Sequence, residues 1–594
     1  MNLTPEEREV GRDNYYEAVG VRRREFLKGV LASSAVSAGG LGAAYYGYQK
    51  VGDPVRVGII GTGDEGGILI GALNPDYMQV TAIADIRPSS IHRALHGDWG
   101  GSNPNVTHSL RPGLIQKYGW NGEDEARKNV QVFDADNGGW QELLQAADVE
   151  AVIIALPLHL HAEVAIAAME AGKHVVTEKL MAHSVGQCKA MCQKAQGTDR
   201  LLATGHQRHY SILYDNAVQL LRWGILGEVQ FIRAQWHRGN LPGRDSWEQP
   251  IPGGQVTPRG STYDPIARQL ASFQKKLERS KDSTARSLLE KQIAQWTRWD
   301  TDKNVPAEAH GYENIKLSNG QDRSALEELV RWRLWDRTGG GLMAELGSHQ
   351  LDAASIFISA LRRDGQKARP LTVHAVGGRH TFPLNRDADD HVYCTFEFPG
   401  PGYDPAENPQ ERFGYYDKVA DFPSKETGIP SYQDDPNKKI IVTYSSIMGN
   451  GFGGYGETIM GTKATLILDR EKEAMLYKGS STSTKVAVKD DGGGPSLDTQ
   501  ASGDMAPVAK AADAKPVSRG YTEELEHFAW CVRNKAPENQ PRCHPEIALA
   551  DAVIALTSKL AIKRANSGQG GYVQFKDSWF EIDDPATPED DLKV

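Results

Sequence analysis

The sequence predicts an α/β protein in which a doubly wound parallel sheet is followed by a second α/β domain with an open, mostly antiparallel sheet. Strand-like and helix-like patterns alternate between residues 55 and 205, as a doubly wound sheet requires. Later strand-like runs follow one another without crossover helices, at residues 231–235, 371–377, 392–398, 439–444 and 464–469. A chain of 594 residues is also too long for one hydrophobic core, which favours two or three domains.

The first strand-like run, residues 55–60, stops at glycines with the spacing G-x-G-x-x-G. Here Gly61 allows a tight turn, Gly63 lets a pyrophosphate approach the backbone, and Gly66 lets the next helix pack closely on the strand. That helix directs unpaired N–H groups and a partial positive charge at the phosphates. We therefore predict a Rossmann dinucleotide-binding domain over residues 51–205, with cofactor contacts from Gly61, Thr62, Gly63, Asp64, Glu65 and Gly66.

The second strand, residues 80–85, ends in an acid 19 residues after Gly66. A carboxylate at this place accepts hydrogen bonds from the ribose hydroxyls of a dinucleotide and repels a 2′-phosphate. Asp85 therefore favours NAD as the cofactor. Arg87, two residues later, can offset the repulsion, so the sequence leaves NADP open.

The composition is that of an ordinary globular protein, with 24% charged and 39% hydrophobic residues. The 67 basic residues are outnumbered by 77 acidic ones, and the net charge of −10 argues against a surface that binds nucleic acid. The five cysteines include no C-x-x-C pair and imply no disulfide framework.

The N-terminus contains a basic run, R-R-R-E-F-L-K at residues 22–28, followed by small and apolar residues without a charge up to residue 48. The order R-R-x-F-L-K resembles the twin-arginine signal, which exports folded proteins across a bacterial membrane. Residues 1–50 are therefore predicted to be a targeting segment, which places the protein in the periplasm or cell envelope of a bacterium. The sequence leaves open whether this segment is cleaved or stays as a single-span anchor, and no other membrane contact is expected.

Chemistry-bearing residues follow two later strands of the first domain. The apolar strand at residues 151–156 stops at Pro157, and His159 and His161 come directly after it. The next strand, residues 174–178, ends in Glu178-Lys179. The carboxyl ends of parallel strands meet at one edge of the sheet, where such folds keep their ligands.

Several motifs in the same order resemble the Gfo/Idh/MocA family of oxidoreductases. They are EAVIIALPLHLHAEVAIAAMEAGKHVVTEK, LLATGHQRHYSILYDNAVQLLRWGILGEVQFIRA, GGGLMAELGSHQLDAASIF, ADDHVYCTFEFP and ETIMGTKATLILD. The resemblance implies hydride transfer with a nicotinamide cofactor and a small-molecule carbohydrate substrate. It also implies that the second domain, residues 206–594, carries the substrate site and often builds homo-oligomers.

Lys179 is the first catalytic candidate, because a lysine at the sheet edge can hydrogen-bond a substrate oxygen or exchange a proton with it. In the family, the lysine of a Glu-Lys-Pro motif does this. Leu180 stands here in place of the proline, which alters the backbone constraint on Lys179.

His349 is the second catalytic candidate, with Glu345 four residues before it and Asp352 three after it. On a helix these residues share one face. The family usually has an aspartate at the place of Glu345. The resemblance implies that His349 is the general acid or base and that Glu345 orients it or contacts the substrate. The alternative is a histidine paired with a carboxylate for packing.

Further contacts are expected around the cofactor cleft. A zinc site would suit His159, His161, His206 and His209, but we prefer to place the first two in the cleft and predict no metal. The resemblance places Arg208 and Tyr210 where the family contacts cofactor or substrate, with interdomain packing as the alternative. The remaining candidates for the cofactor are Leu156, Pro157, Glu178 and Lys179, and those for the substrate are Lys179, Tyr210, Glu345, His349 and Asp352.

Two insertions interrupt the second domain. Residues 240–337 are long and charged, and residues 266–298 within them have the apolar stripe of one surface helix. Residues 399–437 are rich in Pro, Gly, Tyr and Asp and are expected to form a lid. Residues 490–515 are predicted to be a linker, and helices are expected at residues 522–532 and 545–565.

An exported enzyme meets little free nicotinamide cofactor, so we expect tightly bound NAD(P) that is recycled on the protein. Sugar–sugar oxidoreduction fits this expectation, and so does transient oxidation during epimerisation or glycoside cleavage. A non-catalytic sugar-binding protein is a further alternative, because Leu180 and Glu345 depart from the family pattern. An enzyme for a non-sugar diol or polyol also stays open.

Overall fold

The computed structural model describes residues 3–19, 45–256, 260–318, 320–362, 364–403, 438–478 and 519–593, and the backbone of residues 487–490 and 495–498. The twin-arginine run therefore lies outside the described residues. The same holds for residues 404–437 of the expected lid and for most of the expected linker.

The first part of the chain contains six strands and the helices that connect them. In chain order the elements are α1 (Pro5–Ala18), β1 (Val55–Ile60), α2 (Asp64–Ala72), β2 (Met78–Ala84), α3 (Pro88–His96), α4 (Pro104–Leu110), α5 (Gly113–Tyr118), α6 (Glu123–Asn129), β3 (Gln131–Phe133), α7 (Gly139–Gln145), β4 (Ala151–Ile154), α8 (His161–Glu170), β5 (His174–Glu178), α9 (Val185–Thr198) and β6 (Leu202–Gly205).

These strands form one parallel sheet in the order β3-β2-β1-β4-β5-β6. Strands β4, β5 and β6 are buried along their whole length, as expected for a sheet covered by helices on both faces. The strand order reverses between β1 and β4, which opens a crevice at their carboxyl ends. The doubly wound fold predicted for this part is confirmed.

The second part of the chain follows. Its elements are α10 (Ile212–Arg222), β7 (Val229–Trp236), β8 (Gln255–Val256), β9 (Thr262–Tyr263), α11 (Pro265–Arg279), α12 (Ser283–Thr301), β10 (Ile315–Lys316), β11 (Asp322–Arg323), α13 (Ala325–Val330), α14 (Asp336–Gly339), α15 (Ser348–Ser359), β12 (Thr372–Gly378), β13 (His391–Pro399), β14 (Lys439–Ile447), β15 (Tyr455–Gly461), β16 (Ala464–Asp469), β17 (Glu473–Lys478), β18 (Ala487–Asp490), β19 (Pro495–Asp498), α16 (Tyr521–Arg533), α17 (Pro545–Asn566), β20 (Tyr572–Gln574) and α18 (Pro588–Leu592).

Eight of these strands form a mixed sheet in the order β17-β16-β15-β7-β14-β13-β12-β20. Strands β7 and β14 are parallel, and the other neighbouring pairs are antiparallel. This confirms the open, mostly antiparallel sheet. Helix α17 is buried along most of its length and contacts β6 of the first sheet and β12 of the second, so it joins the two parts of the molecule.

The segment between β2 and β3 differs from the surface insertion that its Gly-rich and charged composition suggests. It folds into the short helices α4, α5 and α6. Leu114 of α5 and Ala126 of α6 are fully buried in the core beside the first sheet. Helices α5 and α6 pack on α3, and α4 packs on α2.

The insertion at residues 240–337 holds two helices where the apolar stripe predicted one. The chain breaks at residues 280–282, and Asp282 caps α12 by accepting the Ala285 N–H at 2.6 Å. Helices α11 and α12 pack as a hairpin, and α12 also packs on α3 of the Rossmann domain. The insertion thus lies against the first domain rather than free in solvent.

The N-terminal helix α1 also differs from the expectation that residues 1–50 stand apart from the fold. It packs on β17, the edge strand of the mixed sheet, and Tyr15 is only 1% exposed. Arg8 pairs with Asp469 at 2.8 Å. Further on, buried Tyr48 donates to Glu526 at 2.7 Å. Both flanks of the twin-arginine run therefore belong to the folded structure.

Among the residues that the structure describes, none of the helices combines the length and the apolar character that crossing a bilayer needs.

Candidate functional site

A cavity of about 550 Å³ lies at the carboxyl edge of the parallel sheet. Three parts of the chain line it. The first is the glycine loop with the ends of β2 and β4, the second holds Lys179 and Glu345, and the third is the insertion. The predicted site residues in its wall are Gly61, Gly63, Asp64, Glu65, Asp85, Arg87, Leu156, Pro157, His159, Glu178, Lys179 and Glu345.

The glycine loop has the geometry of a dinucleotide site. Gly61 has a φ of +88°, and a Cβ there would lie 2.4 Å from the carbonyl oxygen of Ala155. A Cβ on Gly66 would lie 2.2 Å from the carbonyl oxygen of Gly61, so the close helix–strand approach needs glycine. A Cβ on Gly63 would meet nothing within 4 Å, so the space above the N-terminus of α2 is open for a phosphate group.

Asp85 lies in the cavity wall with both oxygens fixed by the backbone. The Thr62 N–H donates to Oδ2 at 2.8 Å, and the Arg87 N–H donates to Oδ1 at 2.9 Å. Burial raises the pKa of Asp85, although both hydrogen bonds oppose this. The carboxylate is therefore held at the end of β2, where a ribose is expected.

Arg87 is paired with a residue that the sequence interpretation did not single out. Its Nε lies 2.9 Å from Oδ2 of Asp302, a fully buried residue of the insertion. The Ser89 N–H donates to Oδ1 of the same carboxylate at 2.9 Å. The positive charge of Arg87 is thus balanced within the protein.

Asp64 lies in the first turn of α2 and faces two arginines. Arg93 and Arg111 approach its Oδ1 at 2.6 and 3.4 Å. Burial raises the pKa of Asp64, but the charges of Arg93 and then Arg111 outweigh burial and hold it below its usual range.

Glu178 has the opposite environment. Burial, followed by the charge of Glu65, raises its pKa to about 8. Glu178 is therefore mostly protonated at neutral pH and adds little negative charge beside the glycine loop.

Lys179, Glu345 and His349 are brought together across the two parts of the chain. Lys179 Nζ donates to the Glu345 carbonyl oxygen at 2.9 Å, and the Lys179–Leu180 peptide bond is cis. His349 is 6% exposed and lies outside the cavity wall. Burial, followed by the charge of Lys179, lowers the pKa of His349 well below its usual value, so its ring is neutral at physiological pH.

Glu345 does not orient His349, which corrects one of the expected roles. Residues Met343–Gly347 form a π-helical turn, and α15 begins only at Ser348. Among the described contacts, no hydrogen bond joins the Glu345 carboxylate to His349. The Glu345 carboxylate instead accepts from Arg333 Nε at 3.0 Å, and its pKa is lowered because Arg333 and Lys179 outweigh burial.

Arg208 does not line the cavity, so its expected cofactor contact is corrected. It is fully buried and pairs with Glu471 at 2.8 Å and with Glu457 at 3.1 Å. It also donates to the His349 carbonyl oxygen at 2.6 Å. Arg208 thus holds the backbone of His349 in place by packing between the domains.

Tyr210 and Asp352 also lie away from the cavity wall. The Tyr210 hydroxyl accepts the Arg542 N–H at 2.7 Å and lies 3.0 Å from His527 Nδ1. Asp352 Oδ1 is 2.6 Å from Lys367 Nζ and 2.9 Å from His209 Nε2. Their expected substrate contacts are corrected, since each has structural partners.

The cluster around Asp352 contains donors that suit a metal. The sets His206–Asp352–Asp551 and His209–Cys543–Asp551 each place their ligand atoms within 4.8 Å of one another. Lys367 Nζ lies between Asp352 and Asp551, 2.9 Å from the latter, and already supplies a positive charge there. We therefore interpret the cluster as a charge-balanced network.

The two histidines after β4 have different places. His159 lines the cavity, with its ring 5.6 Å from that of Tyr312. His161 is buried outside the wall, and its two ring nitrogens lie 2.9 Å from the carbonyl oxygens of Leu156 and Leu180. It connects the loop after β4 to the loop after β5.

The sequence interpretation missed the contribution of the insertion to the cavity wall. The insertion places aromatic and arginine side chains opposite the glycine loop, namely Trp247, Trp299, Tyr312, Arg331, Trp332 and Arg333. The density of tryptophan and arginine at residues 331–335 was a signal, because such residues are enriched at ligand sites.

Comparisons with known proteins agree with this geometry. Residues 55–206 match the model of the Gfo/Idh/MocA family, described as "Oxidoreductase family, NAD-binding Rossmann fold". A "Glycosyl hydrolase family 109 protein" of Solibacter usitatus is 25% identical over 216 residues, which are 35% of this chain and 44% of the relative. A "Levoglucosan dehydrogenase" of Pseudarthrobacter phenanthrenivorans is 32% identical over 106 residues, which are 18% of this chain and 27% of the relative.

Among solved structures, the aldose-aldose oxidoreductase from Caulobacter crescentus complexed with glycerol is 15% identical, with a TM-score of 0.45. The comparison covers 88% of this chain and 100% of that one. The chain spans less than half of the length of the first curated relatives that it matches.

Proposed function

We propose that this chain, whose residues 55–206 match the NAD-binding domain of the Gfo/Idh/MocA oxidoreductases, is an NAD-dependent oxidoreductase acting on a sugar or a sugar-like polyol. One observation carries the proposal. A single cavity joins the glycine loop to Lys179 and Glu345, and buried His349, four residues after Glu345, is close enough for the charge of Lys179 to lower its pKa. This is the arrangement that moving a hydride from a carbinol carbon needs.

The glycine loop and Asp85 would hold the cofactor, and the nicotinamide would accept or return the hydride when it is bound. Lys179 Nζ gives one of its three donors to the Glu345 carbonyl oxygen and can give another to the substrate hydroxyl oxygen. Neutral His349 would accept the hydroxyl proton, because burial and the charge of Lys179 keep its ring unprotonated. Trp236 packs beside His349, with the two ring centroids 5.6 Å apart.

The cofactor is proposed to stay bound between turnovers, because the insertion closes on the Rossmann domain through buried polar contacts. Gln295 of α12 donates to Asp98 at 2.8 Å and accepts the Trp99 N–H at 2.7 Å. Asp302, from the same insertion, accepts from Arg87 Nε and from the Ser89 N–H. Release of the cofactor would require several of these contacts to break, so a second sugar would regenerate it in place.

NAD is proposed over NADP on two grounds. The Asp85 carboxylate lies where a 2′-phosphate would be repelled, and the charge of Arg87, which could offset this, is balanced by Asp302. The R-R-x-F-L-K run supports the further proposal that the protein is exported to the bacterial envelope. An epitope-tagged chain found in the cytoplasm of its host would contradict the export proposal.

A second candidate is transient oxidation that ends in epimerisation or glycoside cleavage. It is favoured by the similarity to relatives named glycosyl hydrolase family 109 protein. Such a reaction exchanges a carbon-bound hydrogen of the sugar with the solvent, and the oxidation state of the cofactor is the same at the end as at the start. Incubation of a glycoside in deuterated water distinguishes the candidates. Transient oxidation beside an acidic C–H incorporates deuterium into the sugar, whereas one-way oxidation leaves reduced cofactor.

The experiment that tests the proposed cofactor is direct. The full chain is purified without added nucleotide and denatured, and the released nucleotide is identified by mass spectrometry. We expect close to one NAD or NADH per chain. A protein that is empty and that also binds neither dinucleotide would contradict the proposal and would favour a sugar-binding role.

A further inference from the structure

We propose that Arg333, supplied by the insertion, binds the pyrophosphate of the cofactor from the side opposite the N-terminus of α2. The inference rests on the proposed function for the presence of a dinucleotide. It goes beyond that function by assigning a phosphate ligand outside the glycine loop. It also explains how the insertion and the cofactor hold each other in place.

The first turn of α2 needs an additional positive charge. Gly63 precedes Asp64 and Glu65, so two acids stand where a pyrophosphate approaches the helix N-terminus. Acidic side chains stabilise a free helix N-terminus but repel a second anion there. The two arginines that contact Asp64, Arg93 and Arg111, also approach Asp98 at 3.4 and 2.8 Å. These two arginines are therefore already engaged by carboxylates.

The other cations in the cavity wall are engaged as well. Arg87 pairs with Asp302 at 2.9 Å. Arg331 pairs with Glu327 at 2.7 Å and donates to the Gln249 carbonyl oxygen at 2.8 Å. Lys179 lies at the end of β5 beside His349, where the reacting carbon is expected.

Arg333 has unused donors that face the same cavity. Its Nε is held by Glu345 at 3.0 Å, and its guanidinium lies over the Trp332 ring, 4.2 Å from the centroid. Within the described part of the chain, its two terminal nitrogens have no hydrogen-bond partner, and the side chain is 30% exposed. With Nε fixed on a carboxylate, the planar guanidinium can offer these nitrogens to two phosphate oxygens.

The electrostatics place Arg333 within range of the phosphate region. Burial lowers the pKa of Arg333, but the charges of Glu345 and then Asp64 outweigh it, and Glu65 adds to the effect. The charge of Arg333 in turn helps to lower the pKa of Asp64. Arg333 and the first turn of α2 line the same cavity, so a pyrophosphate bound at that turn would lie within reach of the guanidinium.

This placement couples the cofactor to the catalytic end of the site. The guanidinium that would hold the pyrophosphate also fixes the Glu345 side chain, and the Glu345 carbonyl oxygen accepts from Lys179. Occupation of the phosphate site would thus order the part of the chain that contacts Lys179. The insertion would be held closed by the cofactor itself.

Binding of nucleotides to the full chain, freed of bound nucleotide, tests the inference. The substitutions Arg333→Met and Arg333→Lys are compared with wild type for NADH, for ADP-ribose, which has a pyrophosphate, and for adenosine, which has none. We expect Arg333→Met to lower the affinity for NADH and for ADP-ribose by about 10- to 100-fold. Arg333→Lys should lower both affinities less. The affinity for adenosine is expected to stay within about twofold of wild type, since it loses no charged hydrogen bond.

Arg331→Met is the matched control, because Arg331 lies in the same wall but its guanidinium already donates to protein groups. Wild-type affinity of Arg333→Met for NADH and ADP-ribose would overturn the inference while leaving the proposed function intact. Weakening of adenosine to the same degree would also overturn it, because this would indicate a general collapse of the cavity. If wild type itself binds no NADH, the proposed function fails and the inference fails with it.

Discussion

Arg87 and Asp302 form an ion pair beside Asp85 that bears on the proposed preference for NAD. Arg87 stands two residues after Asp85, where a free arginine would attract a 2′-phosphate. Asp302 is fully buried, holds Arg87 at 2.9 Å and also accepts from Ser89. In the proposed NAD site, this pairing would make the arginine unavailable to a 2′-phosphate and leave Asp85 to bind the ribose.

Replacing Asp302 by Asn should therefore relax the choice between cofactors. We expect the ratio of NADPH to NADH affinity to rise by about 5- to 20-fold, because a charged hydrogen bond to Arg87 is lost. Titration with both reduced cofactors measures this ratio. Asp300→Asn, whose carboxylate pairs with Lys303 at 2.8 Å, is the control, and an unchanged ratio in Asp302→Asn would contradict the assignment.

The roles of Lys179 and His349 predict a loss of turnover without a loss of cofactor. Lys179→Met and His349→Gln should each lower kcat by about 10²- to 10⁴-fold, which is the usual contribution of a positioned acid or base. Binding of NADH should stay near wild type. Variants that keep full turnover on the sugar substrate would instead favour a sugar-binding protein.

Glu178 predicts a pH dependence that a single substitution removes. The pKa of Glu178 is about 8 in the folded chain, against an ordinary value of 4.5. The stabilisation that Glu178 contributes is therefore fully present below about pH 4.5 and is lost as the pH rises through 8. We expect the Tm of wild type to fall between pH 6 and pH 9 by more than that of Glu178→Gln. Exposed Glu142→Gln is the control. Parallel curves for wild type and Glu178→Gln would contradict this environment for Glu178.

Helix α1 shows how a terminal element can cover the edge of a sheet. A Cβ on Gly11 would lie 2.7 Å from that of Met475, so glycine allows the helix to approach β17 closely. Asn14 donates to the Leu476 carbonyl oxygen at 3.0 Å, and Arg12 pairs with Glu473 at 2.8 Å. These contacts satisfy and shield an edge that is otherwise prone to pairing with other chains.

Gly11→Val should detach α1 or shift it, at a cost of about 1–3 kcal/mol in the free energy of unfolding. The change is measured by denaturant unfolding together with hydrogen exchange, which should rise in β17. Glu6→Ala on the exposed side of the same helix is the control. Unchanged exchange in β17 of Gly11→Val would show that α1 does not protect this strand.

The elements of the first sheet followed from the sequence because their signals are local. The run of β-branched residues, the glycine spacing and Asp85 all lie within about thirty residues, as a βαβ unit requires. Asp302 and Arg333 could not be predicted in this way, since they reach the cavity from an insertion more than 200 residues away. The π-helical turn at Met343–Gly347 was missed because spacing rules assume an unbroken α-helix.

The corrected expectations rested on local sequence patterns, whereas the contacts that decide them come from distant parts of the chain. Arg208 carries the charge of a ligand-binding residue, but Glu457 and Glu471 come from the distant mixed sheet. Residues 1–50 have the order of a targeting signal, and that order says nothing about the docking of α1 on β17. In each case the partner is distant in the sequence, so no local pattern reveals it.

At the scale of the whole molecule, two features connect the parts of the chain that line the cavity. Helix α17 contacts both sheets, and the hairpin of α11 and α12 packs on α3 through buried Gln295 and Asp302. The two sides of the cavity proposed for the nucleotide and the sugar are thus held together by the same fold. This is the physical basis for expecting a cofactor that turns over without leaving.

A single turnover on the protein as isolated decides whether the cofactor reacts without leaving. The full chain with its bound nucleotide is mixed with candidate aldoses and polyols and then separated from small molecules by rapid filtration. The account predicts that the near-ultraviolet absorbance of reduced nicotinamide appears in the protein fraction and disappears when a second, oxidised sugar is added. Reduced nicotinamide in the filtrate, or none with any sugar, would contradict it.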